Sequence, residues 1–118
     1  MAMEITMARG DLERRTILLK NRQGETWTTV PDEIYFTVKK SANDRMYVFQ
    51  KTLTGGGITF IETGKYQVEI LPEDTNELNF GTFDFDIEVV VNGLVKKTFI
   101  GKLILEKEVT HYYNERYL

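Results

Sequence analysis

A chain of 118 residues, 42% hydrophobic and 28% charged, has room for one soluble domain with a real core but not for a separate catalytic lobe. Fifteen basic against eighteen acidic residues leave a formal charge of −3 with no long basic run, which argues against a nucleic-acid binder. With no cysteine there are no disulfides and no thiolate chemistry, and no apolar run approaches the roughly 20 residues of a membrane helix.

The opening "MAMEITMARGDLERR" lacks the apolar h-region of a secretory signal, so synthesis without a cleaved leader is expected. Its "MEITM" stretch alternates apolar and polar residues with period two. Further on, "NRQGE" marks a turn. Trp27 follows among Thr26, Thr28 and Thr29, where an indole either stacks on a sugar ring or packs at the core or its edge. In "EIYFTVKK", Ile34, Phe36 and Val38 alternate with Tyr35, Thr37 and Lys39, the pattern of a half-buried strand. "RMYVFQKTL" and "KYQVEIL" repeat it, with turn signals at "TGGGI" and "ETGK" between them. Only "PEDTNEL", residues 72–78, predicts helix, a single turn or so, because Pro72 suits a first helical position and acidic residues follow. Short strands punctuated in this way predict an all-β sandwich or barrel formed by the whole chain as one domain.

The segment "FDFDIEVVVNG" places Phe83, Phe85, Ile87, Val89 and Val91 on one face and Asp84, Asp86 and Glu88 on the other. Asn92-Gly93 suggests a hairpin turn. A strict two-residue turn sets Asp86 against Phe99, whereas a shift by one residue pairs Ile87 with Phe99, Phe83 with Leu103 and Asp84 with Lys102. A bulge or odd-length loop is therefore expected, with Gly101 opposite Phe85 to make room for the ring. The expected core comprises Ile34, Phe36, Val38, Phe83, Phe85, Ile87, Val89, Phe99 and Leu103.

The acidic alternation then reads as a solvated strand face, not a metal site. Alternate strand residues lie roughly 6.5 Å apart, too far to share an ion without loop ligands such as Glu73 or Asp74, and no calcium-loop pattern is present. Other chemistry is thin. His111 is the only histidine and Ser41 the only serine, and "KKSAND" carries no nucleophile-elbow glycines. "GGGI" is followed by no Lys-Ser/Thr pair and no long helix, so it reads as a hairpin turn, not a phosphate cradle. No catalytic, cofactor or metal residues are assigned, and no enzyme activity is expected. The terminal "HYYNERYL", residues 111–118, gathers Tyr112, Tyr113 and Tyr117 beyond the last strand, as aromatic tails at protein interfaces do.

The succession "RGDLERRTILLKNRQGETWT", "EIYFTVKKSAND", "GGGITFIETGKYQVEILPEDTNEL" and "GTFDFDIEVVVNGLVKKTFIGKLILEKEVT", about residues 9–110, resembles a group of small phage and prophage proteins. "PEDTNEL" followed by "GTFDFDI" is its most distinctive part. The resemblance implies an immunoglobulin-like antiparallel β-sandwich, similar to the N-terminal domain of baseplate upper proteins. It also implies a non-enzymatic tail or baseplate component that is made in the bacterial cytoplasm, resides in the virion, and contacts its own copies and other virion proteins. Baseplate upper proteins continue well beyond such a domain, and this chain stops at Leu118. The expected interface residues are Met3 and Ile5 in an N-terminal segment with no evident place in the core, together with Tyr112, Tyr113 and Tyr117. A carbohydrate- or ligand-binding module on a similar sandwich is the alternative, and a small hydrolase a distant third.

Overall fold

The computed structural model describes residues 3–107. Its strands, in chain order, are β1 (Met3–Ala8), β2 (Glu13–Leu18), β3 (Glu33–Lys39), β4 (Phe49–Thr52), β5 (Ile58–Glu62), β6 (Lys65–Ile70), β7 (Gly81–Val91) and β8 (Leu94–Glu106). A short helix α1 (Pro72–Thr75) joins β6 to β7. The strands form a five-stranded sheet in the order β1-β8-β7-β3-β4 and a three-stranded sheet in the order β2-β6-β5. The two sheets make the all-β, sandwich-like fold that period-two alternation predicts.

The core lies between the sheets. Ile34, Phe36, Val38, Phe85, Ile87, Val89 and Leu103 of the large sheet are buried, as are Ile17, Tyr66, Val68 and Ile70 of the small one. Phe36 is the aromatic hub, with its ring centroid 5.1 Å from Phe85 and 6.2 Å from Phe49. Phe99 differs from expectation: it is half-buried and packs against the core from its margin. The reason is topological, since β1 begins opposite Gly101 and leaves Phe99 beyond its end.

The β7–β8 hairpin takes the shifted register. Phe83 pairs with Leu103, Asp84 with Lys102, Phe85 with Gly101 and Ile87 with Phe99. Near the tip the register slips by one at Val89/Val90, so Val91 faces Leu94 across Asn92-Gly93. A two-residue turn and a bulge thus coexist. Asn92 (φ 53°) and Gly93 (φ 76°) both take the left-handed backbone that such a turn needs.

Three departures concern the remaining elements. β1 pairs with β8 in parallel, Met3 with Gly101 through Ala8 with Glu106, so the sandwich is not purely antiparallel. A parallel pair needs a long crossover, and here the rest of the domain supplies it. Ile5 and Met7 consequently fill the core and Met3 packs against it, so the segment "MEITM" does have a place there. The strand expected across "RMYVFQKTL" is confined to Phe49–Thr52, because Lys39 Nζ donates to the Asp44 carbonyl (2.9 Å) within a loop that leaves Met46 and Tyr47 exposed. Finally, α1 stops at Thr75, short of residue 78; Asn76 N–H donates to the Pro72 carbonyl (3.0 Å) and closes its single turn.

Candidate functional site

The outer face of the five-stranded sheet holds the acidic alternation. Asp84, Asp86 and Glu88 stand on β7, flanked on β3 by Lys39, Thr37 and Tyr35 and on β8 by Lys102, Ile100 and Thr98. Asp84 is fully engaged: one oxygen accepts from the Lys102 ammonium and the other from Ala42 N–H at 2.7 Å. The Lys102 hydrogen bond, helped by that of Ala42, holds its carboxyl below the usual aspartate value. Asp86 behaves oppositely. Its carboxyl is pushed up by burial, which the nearby Lys39 charge offsets only in part.

The cause is local relief. Thr37, Lys39, Ala42, Asp84, Asp86, Ile100 and Lys102 surround a hollow of about 240 Å³. Ile100, 64% exposed, is an apolar residue on a face otherwise rich in charge. Alternation alone predicts a solvated face here. The shifted β7–β8 register carries a finer signal, because it sets Ile100 beside the Asp86 carboxylate. Among the described residues no group of three or more His, Asp or Glu side chains comes together in a form able to hold a metal ion.

The other singled-out residues fall apart spatially. Trp27 is half-buried against the core, and Lys97 Nζ sits 5.0 Å from its ring centroid while donating to the Lys20 carbonyl at 2.7 Å. An ammonium thus stands over one face of the indole, where a stacked sugar would lie. Ser41 belongs to the loop after β3, where its carbonyl accepts from Asp44 N–H at 2.9 Å. Gly55 and Gly56 form a turn closed by Gly56 N–H donating to the Thr52 carbonyl at 3.0 Å. Ile5 is buried inside the domain and Met3 lies at its margin. His111, Tyr112, Tyr113 and Tyr117 lie outside the described residues.

Two polar arrangements have no counterpart in the sequence pattern. Lys51 on β4 reaches across to Asp74 on α1 at 2.7 Å, with side chains only 11% and 14% exposed. The same carboxylate accepts from Leu71 N–H at 2.7 Å, fixing the helix entry. Beside it, the fully buried Thr75 accepts from Gly10 N–H at 2.8 Å through its hydroxyl. Nothing in the spacing of Lys51 and Asp74 announces this pairing.

One further surface is an edge. β8 spans Leu94–Glu106, but β1 covers only Gly101–Glu106. From Leu94 to Ile100 the outer edge of β8 has no strand beside it among the described residues, and Leu94, Val95 and Ile100 are exposed there. No protein-family model matches the chain, and a search of curated proteins returns no match.

Proposed function

We propose that the chain is a non-enzymatic structural or assembly module of a phage or prophage particle, a tail or baseplate component that acts through protein–protein contacts. Its partners in this reading are further copies of itself and other virion proteins. The observation that carries it is the uncovered stretch of β8. An open edge offers backbone donors and acceptors to any passing strand, and proteins normally shield such edges or use them. Apolar Leu94, Val95 and Ile100 along this one favour use. The phage context rests on the sequence resemblance over residues 9–110.

Light scattering after size exclusion tests the contact. A dimer or larger ring is expected, weakened by Val95→Lys, which places a charge on the open stretch. Analysis of purified particles tests the context, since the protein should be a stoichiometric constituent. A chain that stays monomeric at high concentration and is missing from particles would overturn the reading.

A further inference from the structure

Of the charged groups around the hollow, Asp86 is the one that makes no hydrogen bond among the described residues. Lys102 donates to Asp84, Ala42 N–H donates to the other Asp84 oxygen (2.7 Å), and Lys39 Nζ donates to the Asp44 carbonyl (2.9 Å). The Thr37 hydroxyl accepts from Gln50 Nε2 (2.9 Å). Asp86 has no such bond among the described residues, and Lys39 acts on it only as a neighbouring charge.

We propose that this hollow receives the guanidinium or ammonium head of an arginine or lysine side chain presented by a partner protein, with Asp86 as the acceptor. Ile100 supplies an apolar wall for the alkyl stem, a combination that long basic side chains match at both ends. The lining holds two lysines and two aspartates, but Asp84 and Lys102 are bonded to each other and Lys39 Nζ is turned to the Asp44 carbonyl, so the Asp86 carboxylate is the charge left without a hydrogen-bond partner among the described residues. The carboxylate has already lost part of its water, so an incoming charge-assisted hydrogen bond is stronger there than at an open surface. A guanidinium fork can engage both carboxylate oxygens, which ranks arginine above lysine. Only the source of the side chain, a partner protein, rests on the assembly reading; the site itself stands on the geometry of the face.

The test is an amide-resolved NMR titration of the full chain with N-acetylargininamide, N-acetyllysinamide and putrescine. Saturable shifts centred on Thr37, Asp86 and Ile100 are expected, strongest with the arginine derivative. Asp86→Asn keeps the shape of the side chain and should weaken binding about tenfold, the effect of losing a charge-assisted bond. Removing the engaged pair together, Asp84→Asn with Lys102→Met, keeps the balance of charge in the hollow and should weaken binding far less. No saturable shift, or equal binding by Asp86→Asn, would overturn the site. Tighter binding of putrescine than of either amino-acid derivative would overturn the protein source and assign the hollow to a free polyamine. Because the probes are small molecules, each outcome is independent of whether the protein self-associates.

Discussion

Two aspartates separated by one residue on the same strand face illustrate how position sets chemistry. Asp84 is bonded and its carboxyl is held down, so it favours the folded state above the ordinary aspartate value of 3.8 and loses that contribution as pH falls through its folded value. Asp86 is half-buried without a bond and its carboxyl is held up. Its protonated form fits the fold better, so its favourable contribution is complete below 3.8 and is lost as pH rises through the folded value. Asp86→Asn is therefore expected to raise the melting temperature at neutral pH, with the gain vanishing in acid; an unchanged or lower Tm at neutral pH would contradict the burial argument. On the other face of β7, Phe85 occupies the slot opposite Gly101. Phe85→Ala should cost about 3–5 kcal/mol in urea unfolding. A Cβ added at Gly101 would press on the Phe85 ring and lie 2.6 Å from the Met3 carbonyl oxygen. Gly101→Ala should then cost about 1–3 kcal/mol through overpacking, measured in the same melts.

The tie between β4 and α1 works at the scale of elements. β4 belongs to the large sheet, while α1 follows directly from the small one, so the Lys51–Asp74 pair fastens one layer to the other. Gly57 permits it: with φ +93° and no side chain, it lets the Lys51 stem pass where a Cβ would lie 2.9 Å from that of Lys51. Asp74→Ala strands a largely buried ammonium and removes the acceptor for Leu71 N–H. A loss of about 2–4 kcal/mol is expected, under the full figure for a dry pair because both ends keep some exposure. Adding Lys51→Met should recover part of it, which a double-mutant cycle by chemical denaturation would measure. This tie also marks the limit of what was legible beforehand. The β7–β8 register could be read because a one-residue slip inverts every side chain, and only one choice kept Phe83, Phe85 and Ile87 opposite compatible partners. The bulge, Gly101 and the Asp84–Lys102 pair followed from it. Lys51–Asp74 and the Thr75–Gly10 bond depend on how separate elements meet in space, and no periodicity encodes that. The parallel placement of β1 was hidden for the same reason, since alternation marks a strand without naming its neighbour.

At the scale of the molecule, the first strand and the last lie side by side. Ile5 projects from β1 into the common core, so Ile5→Ala should lower stability by about 2–5 kcal/mol while leaving the oligomer size of the folded protein unchanged. Light scattering alongside urea melts separates the two; a smaller particle with an unaltered melt would make Ile5 a contact residue instead. The adjacency also governs the order of events during synthesis. Pairing Met3 with Gly101 joins residues from opposite ends of the fold, so β1 leaves the ribosome long before the strand that will hold it exists. Until translation reaches β8, Ile5 and Met7 remain without their final shelter, and contacts so distant along the chain form slowly. The domain should thus close late and all at once, and a nascent chain stalled before residue 101 should remain sensitive to protease along its whole length.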